Sequence, residues 1–158
     1  MRGFRRIETI PSGKRLVVEV KCGPEVIPAL KEFLARSGKP SKSFIIIGFS
    51  HATMQAIKKA LPEIEAYWLS SFRADEKTGV LHPTVEELIR EAKVAGVEGI
   101  NLSYKGPIDA AFVRQVKTAG LKCYVWTVGS PDEARRLVAA GVDGITTNRP
   151  AWLREQIK

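Results

Sequence analysis

The residues best placed for chemistry close a short apolar run, Arg15-Leu16-Val17-Val18-Glu19-Val20-Lys21. Leu16, Val17, Val18 and Val20 read as a strand buried on both faces. Side chains alternate along a strand, so Glu19 and Lys21 point the same way. A carboxylate and an ammonium on a buried strand are costly unless they act together or bind something. In parallel α/β proteins, ligands and chemistry gather at the C-terminal ends of strands. Lysine on such a strand could also form a Schiff base, although Glu19 beside it would keep the amine protonated.

The other strand ends supply Phe49 and Ser50, Ser71 and Phe72, Asn101 and Ser103, Trp126 and Thr127, Thr147 and Asn148. Together with Glu19 and Lys21 they are expected to converge at one rim, which suits an anionic ligand or a hard cation held by oxygen. Ser50 and Thr127 are read first as helix caps. His51 opens a helix just after a strand end, and His82 precedes Pro83 in a loop; both read as ordinary histidines in those settings.

These residues are positioned by a repeated pattern. Strands are expected near 15–21, 43–49, 65–70, 98–103, 122–128 and 143–148. Between them lie helices over about 24–37, from Ser50 to Leu61, from the capping box Thr84-Val85-Glu86-Glu87, and from Ser130-Pro131. Residues 72–83 read as the longest loop. Gly38 closes the first helix, where a left-handed residue is needed, and Ala-Gly stops at Gly96, Gly120 and Gly141 each separate a helix end from the next strand. Pro11-Ser12-Gly13-Lys14 reads as a turn closing a leader segment, residues 1–14, and a last helix follows Pro150. Alternating strands and helices of this kind demand parallel strands with helical crossovers. By length alone, 158 residues favour an open doubly wound sheet over an eight-stranded barrel.

Composition narrows the class. Apolar residues make up 44%, too many for a disordered chain and enough for one domain spanning 1–158. The net charge of +8 is spread through the helices. No aromatic-basic or zinc-finger motif accompanies it, so nucleic acid is not expected as a partner. The basic start Met1-Arg2-Gly3-Phe4-Arg5-Arg6 has no apolar run after it. No signal peptide and no membrane span are therefore expected, and the chain as it stands reads as soluble and cytoplasmic. Cys22 and Cys123 read as small buried hydrophobes, with no disulfide implied.

Four segments decide between the two architectures. Leu16-Val17-Val18-Glu19-Val20-Lys21, Ile47-Gly48-Phe49-Ser50, Val125-Trp126-Thr127-Val128 and Gly141-Val142-Asp143-Gly144-Ile145-Thr146-Thr147-Asn148-Arg149-Pro150 stand in one order. In that order they resemble the glycerophosphodiester phosphodiesterases, over nearly all of the chain. The resemblance implies an incomplete TIM-type (β/α) barrel with about six of eight parallel βα units. It implies hydrolysis of glycerophosphodiesters to an alcohol and glycerol 3-phosphate, with a divalent metal, calcium or magnesium, in the complete enzyme. Glu19 would be a metal-binding carboxylate. Lys21 would contact the phosphate, and Phe49 and Trp126 would line the substrate pocket.

The departures carry equal weight. The family's opening His-Arg-Gly strand, its second strand with two metal carboxylates and its following His-Asp have no counterpart here. The first strand of this chain matches the family's third, and Asn148 stands where the family often has Asp before Arg-Pro. No catalytic residue is therefore assigned, and a metal need not bind this chain alone. The expected partners are a phosphodiester or phosphate anion, and either a complementing fragment or further copies of the chain. The latter follows from open strand edges near 15–21 and 143–148, which invite pairing.

Overall fold

The computed structural model describes Ile10, Pro11 and residues 13–158. The basic N-terminal run, where no signal peptide is expected, lies outside the described residues, as does Ser12. The turn expected there is visible in the bond from Lys14 N–H to Pro11 C=O, 3.1 Å.

The chain packs as two compact units. One holds the chain through Trp68 with Val94–Val97, and the other holds Leu69–Lys93 with Glu98–Lys158. In the first, β1 (Leu16–Val20), β2 (Phe44–Gly48) and the stretch through Trp68 of β3 (Glu65–Ser70) pair in parallel. Helices α1 (Ile27–Arg36) and α2 (His51–Ala60) join them. Pro24–Val26 forms a tight 3-10 turn before α1, so that helix starts later than its apolar spacing suggested. Phe44, Ile46 and Ala66 share one sheet face and are almost wholly buried. Met54 and Ile57 of α2 are buried with them. A Cβ on Gly48 would lie 2.9 Å from Met54 Sδ and 3.1 Å from the Val20 carbonyl. Glycine at this position lets the helix that begins three residues later lie close on the sheet.

The first strand departs from expectation. Val17 is 51% exposed and, along β1, only Val20 is buried. Exposure alternates along it, so one face is covered and the other is open. Leu16, Val18 and Val20 face the covered side; Val17 and Glu19 face the open one. A run of branched apolar residues therefore did not report burial on both faces.

In the second unit, β4 (Arg73–Ala74) and β5 (Leu81–His82) form an antiparallel hairpin in the segment read as a loop. The tip is built by Asp75, whose carboxylate accepts from the Lys77 and Thr78 N–H groups and the Thr78 hydroxyl at 2.8–3.0 Å. α3 (Val85–Ala95) follows, opened by the expected capping box. Thr84 N–H donates to Glu87 Oε2 at 2.7 Å, and Glu87 N–H donates to Thr84 Oγ1 at 3.3 Å. The parallel strands β6 (Gly99–Ser103), β7 (Lys122–Trp126) and β8 (Gly144–Ile145) alternate with α4 (Ala110–Thr118) and α5 (Pro131–Ala140). α6 (Pro150–Gln156) closes the chain.

The last two strands are shorter than expected, because regular pairing gives way to single bonds such as Thr146 N–H to Val125 C=O, 2.8 Å. Ser130 occupies the N-cap of α5 without a side-chain bond. Gly38 has the left-handed backbone expected of it, φ 63°, and the three Ala-Gly stops share it, with φ of 72°, 80° and 91° at Gly96, Gly120 and Gly141. All six expected βα strands are present.

Candidate functional site

In the first unit a cleft of about 430 Å³ opens at the C-terminal ends of β1 and β2. Glu19 and Lys21 from β1 and the residue after it line one side, and Phe49 and Ser50 at the end of β2 line the other. Strand parity puts the acid and the amine on the open face. Lys21 Nζ stands 3.5 Å from Glu19 Oε1, with the two side chains 78% and 35% exposed. The expectation of a buried ion pair is thus corrected. Water screens the pair, so its contribution to stability is small and the ammonium remains available to a ligand.

The opposite wall is held by secondary structure. Ser50 caps α2, its hydroxyl accepting from Thr53 N–H at 3.2 Å and from Thr53 Oγ1 at 2.9 Å. The Trp68 indole N–H donates to the Phe49 carbonyl at 3.0 Å, which fixes the backbone where the phenyl ring enters the cleft. His51 packs its ring edge-on against Trp68, centroids 5.6 Å apart. That contact accounts for His51 as a packing residue. Thr53 and Cys22 also line the cleft and were missed as site residues. Parity and the N-cap offset of three could have shown Thr53. Cys22 is exposed, not the buried hydrophobe expected, because it follows the end of an edge strand.

Trp126 belongs to the second unit, at the C-terminal end of β7. Its indole N–H donates to the Asn101 carbonyl at 3.0 Å, and its own carbonyl accepts from Tyr104 N–H at 2.9 Å. Ser103 is its register partner on β6. Asn101 is buried and its Oδ1 has no hydrogen-bond partner. His82 Nδ1 lies 3.2 Å from Glu87 Oε2 at the start of α3. The Thr84 N–H, with His82 behind it, holds the Glu87 carboxyl below its usual range. Burial first, and then Asp143, push the Cys123 thiol up to about 12, so it stays protonated. A network missed from the sequence joins Arg15, Glu65 and Tyr67, with Glu65 accepting from both partners at the N-terminal ends of the first unit's strands.

Among the described residues no group of three or more His, Cys, Asp or Glu is arranged to hold an ion. Glu19 offers one carboxylate, with an ammonium beside it, where calcium takes six to eight oxygens. These residues do not make a calcium or magnesium site by themselves.

A model of the glycerophosphoryl diester phosphodiesterase family matches residues 8–152. The chain belongs to that family. A glycerophosphodiester phosphodiesterase of Caldanaerobacter subterraneus subsp. tengcongensis is 28% identical over 139 residues, covering 86% of this chain and 52% of that protein. An Oleispira antarctica phosphodiesterase, solved in complex with the product sn-glycerol-3-phosphate, aligns with a TM-score of 0.74 at 20% identity over 90% of this chain and 55% of its own. A glycerophosphodiester phosphodiesterase from Thermotoga maritima aligns with a TM-score of 0.67 at 18% identity, over 94% and 60%. The fold of this glycerophosphodiester phosphodiesterase family member is α/β, an incomplete TIM-type (β/α) barrel of six βα units. It spans about half the length of the relatives it matches. No helix among its described residues is long and apolar enough to cross a membrane.

Proposed function

We propose that this chain is the phosphate-facing part of a glycerophosphodiester phosphodiesterase and is inactive, or nearly so, by itself. The observation that carries the reading is the Glu19–Lys21 pair on the open face of β1, in a chain matched by the family from residue 8 to residue 152. Lys21 would hold a phosphodiester or phosphate oxygen and offset charge as it develops. Phe49 would line the pocket for the alcohol side. Glu19 would give one oxygen ligand to calcium or magnesium once other ligands complete the set, and no step is assigned to the ion here. His51 is engaged with Trp68 and His82 with Glu87. Neither is assigned the proton transfers that hydrolysis needs, and each such group is worth about 10² to 10⁴ in rate.

The test is titration with sn-glycerol 3-phosphate, followed by calorimetry, beside an assay on glycerophosphocholine. Weak binding that Lys21→Ala reduces about tenfold, without turnover, is the expected result. Full turnover by the pure chain would contradict the inactivity; no phosphate binding would remove the site.

A second reading has its own observation. Val17 is 51% exposed on a strand paired within its unit to β2. On this reading the chain is an assembly module that oligomerises through its open strand edge.

A further inference from the structure

Among the described residues β1 has β2 alone as a strand partner, and we propose that a second copy of this chain adds to its other edge, antiparallel and in a register centred on Val17. The inference rests on the assembly reading above and is independent of the hydrolytic one. The open face of β1 and the residue before it carry Arg15, Val17 and Glu19 in alternation, a cation, an exposed apolar residue and an anion. That order is self-complementary when the strand meets its own reverse.

A two-fold axis normal to the sheet pairs only residues of like face, so the registers are few. Centred on Val17, it sets Arg15 opposite Glu19 twice and Val17 opposite Val17. Centred on Val18, it sets Arg15 opposite Lys21, two cations, and Val17 opposite Glu19. Centred on Glu19, it opposes two carboxylates. Directly opposed opposite charges and apolar pairs stabilise a strand pair, and like charges destabilise it. Of these three registers, the one centred on Val17 satisfies all three positions.

The two charges are free enough to serve. Arg15 and Glu19 side chains are 34% and 35% exposed. Arg15 already pairs with Glu65, and its guanidinium has five donors, enough to reach a second carboxylate. Glu19 exchanges a loose contact with Lys21, 3.5 Å long, for a guanidinium opposite it. Antiparallel addition points the C-terminal ends of the two β1 strands in opposite directions. Neither copy then completes the other's cleft, so dimerisation restores no hydrolysis.

Sedimentation of the full chain from about 1 µM to about 1 mM tests this, with thermal unfolding run on every variant. The unaltered chain is expected to form dimers. Val17→Lys, which opposes two ammoniums at the centre, should weaken the dimer about tenfold or more. Arg15→Glu and Glu19→Arg should each do the same, and the double exchange should restore it to within about threefold. Should Arg15→Glu unfold through Glu65, Val17→Lys and Glu19→Arg still decide. A clean monomer at the highest concentration overturns both the proposal and the assembly reading. A dimer indifferent to Val17→Lys and to the charge exchange overturns this register and leaves assembly standing. Binding of sn-glycerol 3-phosphate, measured separately, bears on the hydrolytic reading alone.

Discussion

β1 and β6 are both five-residue strands, each paired in parallel along its whole length with a neighbour of its own unit. In β6 the first four residues are all buried, with Ile100 and Leu102 at 0% exposure. In β1 exposure alternates and Val17 stands half in water. The stretch richer in branched apolar residues is the less covered of the two. Branched residues mark a strand; what packs against each face decides burial. The polar residues follow suit. Glu19 and Lys21 sit on an open face at little cost, while Asn101 on the covered strand is left with its side-chain amide oxygen, Oδ1, unpaired.

Substitutions can break that contrast, and the largest effect belongs to the covered strand. Leu102→Ala should cost about 2–5 kcal/mol, while Val17→Ala should stay within about 0.5 kcal/mol, both read from urea unfolding. Equal losses at the two positions would mean that β1 is covered after all.

Gly141→Ala comes next, at about 1–2 kcal/mol, because the α5 stop has φ of 91°. Its nearest neighbour for an added Cβ is Val113 at 3.9 Å, so the cost is conformational and not a clash. A thermal melt of the variant reads it.

Helix caps sharpen the contrast between the units at smaller scale. Ser50→Ala should lose about 1 kcal/mol, since the hydroxyl accepts from Thr53. Ser130→Ala should lose no more than a few tenths of a kcal/mol, since that hydroxyl makes no cap bond. Denaturant midpoints of the two variants, measured side by side, give the difference.

The smallest effect is a pH dependence at α3. The Glu87 carboxyl is held below its ordinary value of 4.5 by the Thr84 N–H and then by His82. A lowered carboxyl stabilises the fold fully above 4.5 and loses that contribution as pH falls towards its folded value. Melting temperatures taken from about pH 6 down to about pH 3 should fall less steeply in Glu87→Gln than in the unaltered chain.

Much of the fold was legible because its signals are local. The Thr84 to Glu87 capping box, the Ser50 cap and the glycine stops at 96, 120 and 141 are all specified within a few residues. Each appears where the spacing placed it. The hairpin 73–82 was not legible, because two-residue strands carry no periodicity and an Asp75-centred turn looks like any polar loop. In the site, parity correctly put Glu19 and Lys21 on one face. The Trp68 bond to the Phe49 carbonyl was invisible, because it joins residues 19 apart that only strand pairing makes neighbours.

By itself the sequence determined the six alternating units, their boundaries to within a few residues, and the family. Those follow from backbone preference, side-chain parity and capping, all of which act along the chain. Only the tertiary structure decided that β1 presents Val17 and Glu19 to solvent, that the Glu19–Lys21 pair is screened, and that Thr53 and Cys22 share its cleft. Burial is a property of what packs against a residue, and that is settled by parts of the chain far from it in sequence.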